Sequence, residues 1–215
     1  IVTQSVSRAA ATGSLPGVYV GEFQRHAGEK ANRVAAILSN VWPAETVDDL
    51  LYHRWSKLVN NTMVNTVCGI SGMGSAAVLG DARARKLLIG LGSEVILVAR
   101  ESGHHLQYIM GDYAAESFLA AASGDSNELD EALSARAKRV SDDATPSLLQ
   151  DVRRGRQTEV DYFSGLVTTR GEDFGIRTPF CAACTDLLHQ IERGSLSPSS
   201  DNLNRVLQMV SVKGN

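Results

Sequence analysis

The chain has 215 residues, 43% of them hydrophobic and 21% charged, with a formal net charge of −3. That balance provides no basic surface for nucleic acid or an anionic membrane, and only 6% of the residues are aromatic, too few for a platform that stacks single strands. No run reaches the roughly 18 apolar residues of a membrane span, so one large globular domain, or one domain with part of another, is expected.

The first 25 residues read as short strands and turns. Val2, Val6 and Gly17-Val18-Tyr19-Val20-Gly21 are β-like, broken by Gly13 and Pro16. Two or three short strands are not stable alone, so they are expected to complete a larger sheet or to pair with another chain. The start, Ile1-Val2-Thr3-Gln4, has neither the basic flank nor the apolar stretch of a signal peptide and no initiating Met; it reads as a processed product or a piece of a longer one. Three cysteines, Cys68, Cys181 and Cys184, are too few for a disulfide scaffold and point to a reducing compartment, the cytoplasm.

From residue 29 onward the pattern is helical. Val34, Ile37 and Leu38 recur at helical spacing up to Pro43. Thr46 reads as the cap of a second helix, with Asp49 three residues on, and a helix over residues 51–66 carries Trp55, Lys57, Asn61 and Asn65. Residues 69–74 form a glycine-rich break. Residues 81–102 predict a long helix with Leu87, Leu88, Leu91, Val95 and Val98 on its apolar side. Further helices are expected over 113–122, 128–140, from Ser147, over 159–174 after an interruption at Gly155, and over 178–193, followed by a mobile, serine-rich tail. The expected organisation is strands over 1–27, a helical domain over 28–195 and a tail over 196–215: a mainly α protein preceded by a few edge strands.

Two stretches carry candidate chemistry. In Trp55-Ser-Lys57-Leu-Val-Asn-Asn61-Thr-Met-Val-Asn65 the Lys and two Asn are spaced i, i+4, i+8, which puts them on one helix face. A lysine flanked by amides makes a polar pocket and offers a proton; the plainer alternative is a solvated face. Asparagine inside a helix costs about half a kcal/mol relative to alanine, which favours a functional reason for two of them. In Pro146-Ser147-Leu-Leu-Gln-Asp151-Val-Arg-Arg-Gly155-Arg-Gln-Thr158-Glu159-Val-Asp161, Ser147 and Thr158 read as helix caps; a free helix start at Ser147 would also suit a carboxylate. Arg153, Arg154 and Arg156 read as a solvated basic cluster. Cys181-Ala-Ala-Cys184 lacks two further zinc ligands and the context of a redox motif, and reads as helix packing; His104-His105 has no third ligand, so no metal is expected.

The Trp-x-Lys-Leu-x-Asn-Asn helix, the Pro-Ser-x-x-Gln-Asp-Val-x-x-Gly-Arg-x-Thr-Glu-x-Asp block and Gly175-Ile176-x-Thr178-Pro179, together with Gly17-Val-Tyr-Val-Gly21-Glu22, resemble the ketopantoate reductases (2-dehydropantoate 2-reductases) over residues 17–193. The resemblance implies an all-helical domain like the carboxy-terminal domain of 6-phosphogluconate dehydrogenase, preceded by edge strands of an incomplete Rossmann domain. It implies an NADPH-dependent oxidoreductase that takes a small 2-keto acid in a cleft between the two domains. Lys57 then resembles the general acid, with Glu159 the acidic partner of the site; Asn61, Asn65 and Ser147 resemble substrate-binding residues. Leu148 stands where a methionine is common, a packing change of little consequence; Ala144 stands where some pantoate-forming members have an asparagine, which leaves a different 2-keto acid, opine or hydroxy acid open. No Gly-x-Gly-x-x-Gly follows a strand, so the chain reads as a fragment without its nucleotide domain; a catalytically silent helical interaction module is the remaining alternative. A free sheet edge and an open cleft face predict a homodimer.

Overall fold

A computed structural model describes residues 17–23, 26–109, 112–124, 127–141 and 145–213; the strands expected at Val2 and Val6, and Ala144, lie outside them. The fold is mainly α, as expected. Two compact units divide between Arg54 and Trp55 rather than at residue 27.

In the first unit, β1 (Val18–Val20), α1 (Glu29–Leu38) and β2 (Ala44–Thr46) form a β-α-β unit. The strands pair in parallel, Val18 opposite Ala44 and Val20 opposite Thr46. Two sequence expectations change here. Thr46 ends a strand instead of capping a helix; the cap is Asp49, whose carboxylate accepts the Tyr52 N–H at 2.8 Å. On α1 the small residues Ala31 and Ala35 are buried, while Val34 and Ile37 are exposed: a two-stranded sheet covers only a narrow strip of the helix it meets. His53 stacks on Tyr19, ring centroids 4.1 Å apart.

Helix α2 (Leu50–Asn60) spans the division in the chain and runs without a break into a wide π-type turn (Asn61–Asn65) and α3 (Thr66–Ser71). The second unit continues with α4 (Ser75–Gly80), α5 (Ala82–Glu101), a hairpin of β3 (Tyr108–Ile109) and β4 (Tyr113–Ala114), then α6 (Ala115–Ala122), α7 (Asn127–Ala137), α8 (Ser147–Arg153), a 3₁₀ turn (Val160–Tyr162), α9 (Ser164–Phe174), α10 (Pro179–Glu192) and α11 (Asp201–Lys213). The long helix α5 is the centre. Leu87, Leu88, Leu91, Val95 and Val98 have no exposure, and α5 packs against the π turn and α4, α6, α7, α9, α10 and α11. Such a helix, apolar on nearly all sides, belongs inside a bundle. Asp81 caps it, accepting from the N–H groups of Arg83 and Ala84. Glycine allows close contact on α5: a Cβ on Gly92 would fall 2.7 Å from the Phe118 ring and 2.9 Å from Met63 Sδ.

Two buried polar groups of α5 find their partners on other helices. The Arg85 guanidinium meets Asp130 of α7 through two bonds of 2.8 and 2.9 Å and donates to the Leu79 and Gly80 carbonyls that end α4. Glu94 accepts the N–H groups of Phe180 and Cys181, both at 2.8 Å, at the start of α10. A carboxylate at a helix start meets unpaired N–H groups and the positive end of the dipole, yet burial wins and pushes the Glu94 carboxyl up to about 7.

The tail expected over 196–215 instead carries the helix α11, which follows the Ser-rich stretch. Leu203 and Val206 are fully buried, and Asn202 donates to the carbonyls of Ile70 and Ser197 at 2.9 Å. Residues 69–71, read as a glycine break, are helical; α3 ends only at Gly72, whose φ of +73° suits glycine. Tyr113 and Ala114 pair in a hairpin rather than opening a helix. The three cysteines are free and buried, and burial pushes the Cys68 thiol up to about 12. Among the described residues no helix is long and apolar enough to cross a membrane, and no cluster of His, Cys, Asp and Glu has the makings of a metal site.

Candidate active site

Lys57 lies in the last turn of α2 and is exposed. Its neighbours hold the helix down: Ser56 is buried and donates to the Tyr108 carbonyl at 3.3 Å, and Val59 is fully buried. Trp55 lies beside His104, with ring centroids 6.1 Å apart. Asn61 and Asn65, both half-buried, stand at the two ends of the π turn.

That turn matters for the shared face. An ideal α-helix drifts by roughly 40° over each four-residue step, so Lys57 and Asn65 would diverge by roughly 80°. An i→i+5 turn winds less per residue and takes back part of the drift between Asn61 and Asn65. The periodicity of the sequence placed three polar residues on one side; the π turn, which no sequence signal announced, tightens their alignment.

Ser147 is the first residue of α8 and exposed. Its side chain makes no capping bond; the cap position belongs to Pro146. The capping role expected from sequence is therefore absent, because the extended backbone of Pro146 already turns the chain into the helix and Ser147 enters it as its first member. Helix α8 packs on α3 and the π turn. Leu148 and Leu149 are buried, and a Cβ on Gly69 of α3 would fall 2.2 Å from Leu148 Cδ2, so glycine there lets α8 approach. At the far end of α8, Arg153 donates to the Gly72 carbonyl at 3.3 Å.

After Gly155, at φ +63°, the chain returns to order at Thr158. The Thr158 N–H and hydroxyl both donate to Glu192 Oε1 at 2.7 Å, and its oxygen accepts the Val160 N–H at 3.2 Å. Thr158 thus braces the start of a 3₁₀ turn whose cap position is Glu159, rather than capping an α-helix. Glu159 follows it, exposed. Asp161 meets His189 of α10 at 2.9 Å. Among the described residues no hydrogen bond or ion pair links Lys57, Asn61, Asn65, Ser147 and Glu159 to one another. The structure brings the helix of the first three against the helix of Ser147; Glu159 is held separately, through α10. Sequence reasoning passed over Glu94 and Glu192, because a carboxylate's partner across the fold leaves no mark in local spacing.

Comparison with known proteins bears on these same stretches. The profile of a family described as "Ketopantoate reductase PanE/ApbA C terminal" matches residues 49–192. A 2-dehydropantoate 2-reductase of Archaeoglobus fulgidus is 26% identical over 178 residues, which cover 82% of this chain and 53% of that protein. The chain therefore spans about half the length of that relative. Among solved structures, 2-dehydropantoate 2-reductase from Methylococcus capsulatus superposes with a TM-score of 0.65 at 19% identity, covering 83% of this chain and 52% of the other. D-mandelate dehydrogenase, in a ternary structure with NADH and anilino(oxo)acetate, superposes with a TM-score of 0.62 at 23% identity, covering 86% of this chain and 66% of the other. At these identities the superpositions show a shared fold.

Proposed function

Because the chain belongs to the ketopantoate reductase PanE/ApbA C-terminal family, we propose that it is the helical, substrate-binding part of a nicotinamide-dependent 2-keto acid reductase, with 2-dehydropantoate as substrate and NADPH as hydride donor. One observation carries the reading: an exposed lysine shares a helix with two half-buried amides, and the helix that bears Ser147 packs against it.

In this reading the Lys57 ammonium donates a proton to the ketone oxygen as that oxygen gains charge, which avoids a free alkoxide. Asn61 and Asn65 orient the substrate and the lysine. The Ser147 hydroxyl, not engaged as a cap, donates to the substrate carboxylate. Glu159 supplies the negative charge that balances the lysine in the site's polar network. Among the described residues no strand leads into a Gly-x-Gly-x-x-Gly turn, and Gly72 and Gly74 instead end α3 and open α4. The main dinucleotide site is therefore placed outside this chain in this reading, and the roles proposed for these residues are those of proton and substrate. A homodimer and a cytoplasmic setting complete the proposal; light scattering tests the first.

The test is turnover of 2-dehydropantoate with NADPH by the protein that carries this chain. The likeness to D-mandelate dehydrogenase with NADH favours a second reading, a different 2-keto acid with NADH, so the panel includes aryl and branched 2-keto acids with both nucleotides. Turnover of another acid but not of 2-dehydropantoate overturns the substrate. Turnover of none supports a non-catalytic helical module.

A further inference from the structure

Two buried hydroxyls, one in the π turn and one on the first residue of α3, stand unpaired among the described residues. Thr62 and Thr66 are fully buried, and among the described residues neither hydroxyl has a hydrogen-bond partner. Threonine inside a helix commonly returns its hydroxyl to the carbonyl four residues back; here neither does. Val59, Met63 and Val67, neighbours in the same stretch, are buried and apolar. An unpaired buried hydroxyl is destabilising, and two of them one turn apart make a pattern.

We propose that Thr62 and Thr66 share one internal water, and that this water holds the π turn open, making both threonines positioning residues for the Lys57, Asn61 and Asn65 face. Residues four apart on a helix have Cβ atoms about 5–6 Å apart. Two hydrogen bonds of about 2.8 Å through one water cover that distance. A buried water needs two to four polar partners; the change of hydrogen-bond period within the turn interrupts the carbonyl ladder and offers a main-chain acceptor as the third. The role in alignment rests on the proposed function; the water itself does not.

The test uses the whole chain. A crystal structure at atomic resolution shows a water within hydrogen-bond distance of both hydroxyls; density without one overturns the proposal. Thr62→Val and Thr66→Val each lower Tm by a few degrees, about 3 °C per hydrogen-bonded unit in a protein of this size, and the double variant loses no more than the larger single, because both changes expel the same water. Unchanged or raised Tm, or additive losses, overturns it. The Asn61 and Asn65 amide chemical shifts move in the Val variants and return in Thr62→Ser and Thr66→Ser; shifts that stay put in the Val variants overturn the positioning role. If a Val variant does not fold, the water in the parent structure and the wild-type shifts of the Ser variants decide. A Lys57→Ala enzyme of undiminished rate would sink the proposed acid while leaving each of these outcomes intact.

Discussion

Lys57, Asn61 and Asn65 belong to one continuous helix whose opposite side is core, with Val59, Met63, Val67 and Ile70 buried. Ser147 and Glu159 sit instead on a segment that leaves regular structure at Gly155 and is tied down from elsewhere, by Leu148 against Gly69 and by Thr158 against Glu192. The first side of the candidate site is placed by helical periodicity and its own hydrophobic face. On the second side, Ser147 is placed by the seat of α8 on α3, and Glu159 through helix α10, which is itself held at its start by Glu94 and holds Thr158 with Glu192 in its last turn. The comparison teaches that one side should tolerate loss of its polar residues without loss of fold, while the other should feel changes made far from it.

The largest expected effect lies on the helix side. On the proposed function, Lys57→Ala lowers kcat for 2-keto acid reduction by about 10²–10⁴-fold, the usual range for losing a general acid, with circular dichroism and Tm unchanged because the side chain is exposed. A rate within a factor of two of wild type would remove Lys57 from the chemistry.

Next comes the anchor of α10. The Glu94 carboxyl, at about 7 in the folded protein against an ordinary value of 4.5, holds a proton in the folded state that the unfolded chain has already lost between those pH values. Stability is therefore full below about pH 4.5, falls as pH rises toward about 7, and is level above it, by up to about 3 kcal/mol. Urea unfolding at pH 5 and pH 8 measures the slope, and Glu94→Gln flattens it. An identical slope in the variant would show that the burial of Glu94 is not what sets the dependence.

A smaller effect is expected from the other end of the same helix. Glu192→Ala leaves the Thr158 N–H and hydroxyl without their acceptor and costs about 2 kcal/mol, as for bonds to a charged group. Hydrogen exchange at the Thr158 and Val160 amides should quicken while that of the Lys57 helix stays slow; equal protection of both regions would break the contrast drawn above.

The smallest is Ser147→Ala. With no capping bond to lose, stability changes by less than about 0.5 kcal/mol, while KM for the 2-keto acid rises. A drop in Tm typical of a lost cap, about 1 kcal/mol, would restore the capping role that the geometry denies.

How far the sequence reached differs in the same way between regions. The apolar stripe Leu87, Leu88, Leu91, Val95 and Val98, the stop at Pro43 and the Thr178-Pro179 start were enough to lay out a mainly α protein, since each is a local consequence of helical geometry. The Lys57, Asn61 and Asn65 face was legible for the same reason, and the order of three spaced motifs led to the family. Elsewhere local patterns misled. The Ser-rich stretch before Asp201 hid a helix whose Leu203 and Val206 are core, because a helix with one narrow buried stripe gives a weak signal. Val34 and Ile37 looked like core and are exposed, because which stripe is covered depends on the partner present. Thr46 and Ser147 looked like caps, but a strand pairing at one and Pro146 at the other took the backbone another way. By itself the sequence determined most of the helices, the shared helix of Lys57, Asn61 and Asn65, and the kinship, all set by residues within a few turns of each other. Only the tertiary structure decided the π turn, the seat of α8 on Gly69, the grip of Glu192 on Thr158 and the raised proton affinity of Glu94, because each depends on burial and on partners far away along the chain.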